Sequence, residues 1–292
     1  MGSDFLTSPF DNLLKPVDDH LIVHNELMTS LILGNKISIH SAENGIPDID
    51  SLDIAIVGIP ENRNSIDYLG DDLNLNEIRK SFYNLFPGNW STRIADLGNL
   101  ILGENVEQTY GRIISLTSIL FEKNIIPIII GGSQDLLYAN YRAYDSFKNT
   151  VNLVNIDSNF DLGDSSKPIN NLSYLGKIIL EEPHNLFNYS NLGYQTYHNP
   201  QEEIDLMENL YFESYRLGNV CSKISMVEPV LRDADIVSID LKSIRASELS
   251  SRQKFSPNGF DGKEICAISR YAGISNKVSS FGIYEYKSSN ED

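Results

Sequence analysis

Short apolar runs alternate along this chain with longer stretches whose apolar residues recur at helical spacing. Eight runs have strand length and β-branched character: 52–59 (LDIAIVGI), 92–98 (TRIADLG), 124–130 (NIIPIII), 150–157 (TVNLVNID), 192–197 (LGYQTY), 223–228 (KISMVE), 233–240 (DADIVSID) and 277–286 (KVSSFGIYEY). Helices are predicted over 104–124, 134–149, 200–218 and 262–273; in the third, Ile204, Met207 and Leu210 form an apolar stripe that leaves Glu202, Glu203 and Asp205 outside it. Strands alternating with helices favour a parallel sheet covered on both faces. Residues 1–50 show no such alternation and are expected to form an irregular arm, leaving 51–292 as a single domain without repeats or low-complexity linkers.

In open parallel sheets, ligands bind beyond the carboxyl ends of the strands. Three such ends carry chemistry: GGSQD (131–135), DSNFDLGD (157–164) and IDLKSIR (239–245). If they converge, they bring together Gln134, Asp157, Asn159, Asp161, Asp240 and Lys242. Asp240 and Lys242 are two residues apart, which in a strand places an acid and a base on one face.

Composition narrows the partners. A formal charge of -17 over 292 residues, with no basic cluster, argues against nucleic acid. No apolar stretch approaches the roughly 18 to 20 residues that a membrane span needs, and the acidic N-terminus does not resemble a secretory signal. A cytoplasmic protein that does not bind membranes is expected. Cys221 and Cys266 lack metal or redox spacing. The five histidines, at 20, 24, 40, 184 and 198, fall at none of the three strand ends, and Gly131-Gly132 is no phosphate-binding fingerprint.

The strand-end segments IPIIIGGSQD, VNIDSNFDL and DIVSIDLKSI resemble, in order and context, the GGDHS, DAHxD and SxDxDxxDP signatures of the arginase-like ureohydrolases. NEIRKSFYNLF (76–86), IADLGNL (94–100) and SPNGFDGKE (256–264) are similar to further family segments. The resemblance spans about residues 50–286 and is strongest to a bacterial formimidoylglutamase-like branch. It implies a three-layer α/β/α fold with a mainly parallel sheet of about eight strands, and a homo-oligomer. The family's final covering helix is expected to be missing after GIYEYKSSNED.

In that family the motifs hold two manganese ions, whose bridging hydroxide attacks a guanidinium or amidine carbon. Carried over by position, three of six ligands remain: Asp157, Asp161 and Asp240. Gln134 and Asn159 replace the two histidines, and Lys242 replaces the second aspartate of SxDxD. One site would keep three carboxylates and the Gln134 amide oxygen, which suit a hard cation. The other would lose two ligands, and the Lys242 ammonium is expected to take its place, paired with Asp157 and Asp240. The family's proton-shuttling histidine falls near Ser173, and Arg245-Ala246 stand where the family has Asp-Pro. Glu264 matches a glutamate that meets the substrate guanidinium, although it could equally serve as a helix N-terminal charge.

These losses lead to a non-catalytic homologue that binds a small guanidino or amidino compound or a protein. No residue is assigned a catalytic role. No cofactor is expected, with one divalent cation (Mn²⁺, Mg²⁺ or Ca²⁺) as the alternative. The competing readings are an active hydrolase of linear amidines using one metal or none, and a structural subunit of an active paralogue.

Overall fold

The computed structural model describes residues 10, 12–68, 70, 73–147, 150–164, 166–249 and 256–287. In chain order its strands are β1 (Leu14–Lys15), β2 (Ser38–Ile39), β3 (Ile54–Ile59), β4 (Ile94–Leu100), β5 (Ile126–Gly131), β6 (Val151–Ile156), β7 (Leu186–Tyr194), β8 (Glu213–Arg216), β9 (Ile236–Asp240) and β10 (Ser280–Tyr284). Its helices are α1 (Asp19–Leu27), α2 (Asn76–Tyr83), α3 (Val106–Glu122), α4 (Leu136–Arg142), α5 (Tyr174–Leu180), α6 (Gln201–Asn209), α7 (Leu217–Ser222), α8 (Val227–Arg232) and α9 (Gly262–Gly273).

All these strands join one sheet in the order β1-β4-β3-β5-β10-β9-β6-β7-β8, with β2 also paired to β4. Every pairing is parallel except that of β1 with β4. Side chains alternate between the two faces, as strand geometry requires. Val57, Leu153 and Ile236 pack into the core that includes Ile113 and Leu116 of α3, Leu137 of α4 and Ile178 of α5. Their neighbours point the other way. Val154 and Val237 meet Val220, Leu231 and Ile268 from α7, α8 and α9, and Ile56 meets Ile78 and Phe82 of α2. The expected α/β/α layering and mainly parallel sheet are therefore present, with ten strands among the described residues rather than about eight.

Two elements differ from their sequence prediction. The run 223–228 is a short turn, Ile224–Met226, leading into α8. Pro229 sits in the first turn of that helix, where its missing N–H costs nothing, and Val227 and Leu231, four apart, are the buried pair. The edge strand β8 lies inside the predicted helix 200–218. Helix α6 stops because Tyr211 turns left-handed, at φ 58°, and the Phe212 and Tyr211 N–H groups donate to the Met207 and Glu208 carbonyls at 3.0 Å each. That is a Schellman ending without glycine, so its usual sequence marker is absent. Strand β7 also begins earlier than the run 192–197, because the buried polar residues Ser190 and Asn191 interrupt its apolar pattern.

The stretch expected to be an irregular arm carries α1 and two short strands that lengthen the sheet beyond β4. Residues 1–9 and 11 of that arm, and 288–292, where the chain was expected to stop short of a final helix, lie outside the described residues. Gly98 admits β1: its φ is +82°, and a Cβ there would lie 2.1 Å from the Lys15 carbonyl oxygen.

Candidate functional site

Strands β5, β10, β9 and β6 are neighbours at the middle of the sheet, and they run parallel. Their carboxyl ends deliver Gln134, Glu285, Asp240 and Asp157 to one place, all of them buried. The loop after β6 then folds back through Asp161, whose φ of 56° is left-handed. As expected, Asp157, Asp161 and Asp240 converge: a carboxylate oxygen from each lies within 4.8 Å of the others. The GGSQD loop is pressed against the loop after β3. A Cβ on Gly132 would lie 2.2 Å from the Glu61 carbonyl oxygen, and the Ser133 N–H donates to that same oxygen at 2.9 Å.

Asn159 does not join the cluster through its side chain. Its Nδ2 donates to the His198 carbonyl at 3.2 Å, and its Oδ1 accepts from Ser158 Oγ at 2.8 Å. Only its backbone N–H turns inward, donating to Asp157 Oδ1 at 3.0 Å.

Lys242 requires a correction in detail. Strand β9 ends at Asp240, and Leu241–Ser243 form a tight turn, so the two-residue strand rule no longer sets the direction of Lys242. Asp240 Oδ1 accepts the Lys242 backbone N–H at 2.5 Å. The ammonium pairs instead with Glu285, with Nζ 2.8 Å from Oε2.

Glu285 was missed because the run 277–286 reads as one strand, whereas the strand ends at Tyr284. An acid directly after an apolar run was the available signal. Its carboxylate is 1% exposed and its backbone is left-handed at φ 59°. Oε1 accepts the Gln134 backbone N–H at 3.0 Å and Asn171 Nδ2 at 3.1 Å. Asn171, also unnoticed in the sequence, accepts the Ile66 N–H at 3.0 Å and so ties the loop after β3 to Glu285.

Glu264 lies with other partners. It closes a capping box with Asp261 at the start of α9: its side chain accepts the Asp261 N–H and its own N–H donates to Asp261 Oδ1, both at 2.8 Å. Arg245 reaches Asp261 at 3.4 Å and Glu264 at 3.8 Å. Ser173 stands before α5, where its Oγ accepts the Asn170 N–H at 3.0 Å.

Crowding three carboxylates away from water raises their proton affinity. Burial pushes Asp157 up to about 6, against partial relief from the Asn159 N–H and the Lys242 charge. Asp161 and Asp240 are pushed well above the usual carboxylate range, first by burial and then by the other acids. Lys242 moves the opposite way from a desolvated lysine. Burial alone would lower it, but Asp240 and Glu285 outweigh that and hold it charged.

Several buried oxygens at this site lack partners. The Oε1 of Gln134 accepts no hydrogen bond within the protein, and Asp161 faces no donor there, its nearest relief being a proton shared with Asp157. Buried polar atoms are rarely left so, and three carboxylates with an amide oxygen form a donor set for a hard cation. The residues present therefore fit one divalent ion. They do not provide the Asn159 side chain or a carboxylate at 242 for a second.

The sequence pattern of the Arginase family matches residues 52–291. This chain belongs to that family. Among solved structures similar to this arginase-family chain, the Trypanosoma cruzi formiminoglutamase with Mn²⁺ superposes with a TM-score of 0.75 at 17% identity, covering 82% of this chain and 87% of that one. The Bacillus subtilis formimidoylglutamase gives 0.70 at 17% identity, with 84% and 85% covered. The agmatine ureohydrolase of Thermoplasma volcanium gives 0.68 at 18% identity, with 91% and 89% covered. At such identities the likeness shows the fold. No curated protein sequence matches the chain.

Proposed function

We propose that this arginase-family chain has lost the family's dinuclear centre and acts as a non-catalytic binding protein. It would hold a single divalent cation through Gln134 Oε1, Asp157, Asp161 and Asp240. A small guanidino or amidino compound is the class of ligand proposed for the acidic cluster at the strand ends.

The observation that carries this reading is the Lys242–Glu285 ion pair at 2.8 Å. It fixes a positive charge beside the three carboxylates, where a second cation would be repelled. The charge is permanent near neutral pH, since the surrounding acids hold Lys242 protonated. A protonated lysine can be neither a nucleophile nor a base. A bound cation would supply charge to orient a polar ligand, and Glu285, held by Gln134 and Asn171, is already committed to Lys242.

A second reading rests on the unpartnered Gln134 amide oxygen beside the three carboxylates: a hydrolase of linear amidines using one metal. The test is release of ammonia, formamide or urea from formimidoylglutamate, agmatine and arginine with Mn²⁺ present. No release above the protein-free rate is expected. Turnover abolished by Asp240→Ala would overturn the non-catalytic reading in favour of the second.

A further inference from the structure

Beneath the carboxylates, two residues further into the sheet, lies a row of buried polar side chains. Ser238 of β9, Asn155 of β6 and Asn191 of β7 are register partners across adjacent strands and all are buried. Ser238 and Asn155 meet Gln134 directly. Gln134 Nε2 donates to Ser238 Oγ at 3.0 Å and to Asn155 Oδ1 at 3.2 Å, with the Tyr174 hydroxyl at 3.4 Å.

The orientation of these amides follows from donor chemistry. The Asn155 group facing Asp157 is its NH₂: Nδ2 donates to Asp157 Oδ2 at 3.1 Å and to the Tyr174 hydroxyl at 2.8 Å. Asn155 Oδ1 is thereby turned to Gln134, where it needs a donor. Gln134 must answer with Nε2, and its Oε1 is left buried and without a partner. The orientations of the two amides are therefore linked.

We propose that Asn155, whose Oδ1 can only accept, is the positioning residue that fixes the Gln134 amide so that its carbonyl oxygen, not its nitrogen, faces the cation. This rests on the single-cation reading above and deepens it. The ligand set becomes all oxygen, which favours Mg²⁺, Ca²⁺ or Mn²⁺ over Zn²⁺. A flipped amide would present N–H groups to the cation, so each hydrogen bond that prevents the flip contributes to affinity. Partners of this kind typically change metal affinity about 10- to 100-fold.

The test is calorimetric titration of the full chain with Mn²⁺ in a double-mutant cycle. Asn155→Ala should weaken Mn²⁺ binding about tenfold. In a Gln134→Glu background both ends of the side chain are oxygen and orientation no longer matters, so adding Asn155→Ala should cost only what its hydrogen bond to Asp157 contributes, a clearly smaller loss than in the first background. Equal losses in the two backgrounds, or no loss in the first, would overturn the positioning role while leaving single-cation binding standing. Wild-type chain that binds no Mn²⁺ would defeat the single-cation reading and this proposal with it. A separate variant avoids dependence on the folding of Asn155→Ala: Gln134→His should raise the ratio of Zn²⁺ to Mn²⁺ affinity at least about tenfold, and an unchanged ratio would show that position 134 supplies no ligand atom.

Discussion

Lys242 and Glu285 set the character of the site at the scale of single residues. Glu285 is 1% exposed and Lys242 about a quarter exposed, so the pair is neither a surface bridge nor a fully buried one. Removing one partner of a buried pair costs about 3–5 kcal/mol because the other charge is stranded. Partial solvation of Lys242 reduces that, so Lys242→Ala should destabilise the metal-free chain by about 2–3 kcal/mol. Urea unfolding in chelator measures it, and an unchanged midpoint would contradict the assigned pairing. Restoring the lost ligands should have the opposite sense: Lys242→Asp combined with Asn159→His should create binding for a second Mn²⁺, read by elemental analysis. The three aspartates were legible in the sequence because each follows an apolar run within a family motif. Glu285 and Asn171 were not, since neither lies in a motif, and their roles come from partners more than a hundred residues away.

Elements show which local signals carry information. The central strands β3, β5, β6, β9 and β10 were readable because burial on both faces demands mostly apolar runs, even where single buried polar residues such as Asn155 and Ser238 interrupt them. Strand β8, at the sheet edge with partly exposed residues, had no such requirement, and the ending of α6 at Tyr211 lacked a glycine to announce it. Strand β1 has two residues and exists because β4 offers an edge; no local pattern encodes it. Gly98 is its key. Alanine at that position would face the Lys15 carbonyl and an unfavourable positive φ, so Gly98→Ala should detach β1. Amide hydrogen exchange should then accelerate at Leu14–Lys15 and stay unchanged at β9; retained protection at β1 would contradict this docking. Gly132→Ala belongs to the same class, but it would push the GGSQD loop off the Glu61 carbonyl and should weaken cation binding as well as stability, which titration and unfolding together would report.

The whole molecule couples the site to pH. Asp157 is held near 6 rather than 3.8, and Asp161 and Asp240 are also raised well above the usual carboxylate range. The native chain therefore keeps protons that the unfolded chain has already released above about pH 4. Native protein binding more protons means that these groups make stability fall as pH rises through that window, when no cation is present. A divalent ion competes with those protons, so its stabilising effect should grow with pH. The rise in melting temperature with Mn²⁺ should be larger at about pH 7.5 than at about pH 5; an equal rise would show that the ion binds elsewhere. The net charge of -17 would draw cations to the molecule generally, so stoichiometry is more telling than affinity. Elemental analysis of the chain after incubation with Mn²⁺ and removal of free ion is the most direct measurement. A single Mn²⁺ per chain, lost in Asp240→Ala, is the expected result, and two Mn²⁺ per chain in the wild type would contradict the loss of the dinuclear centre.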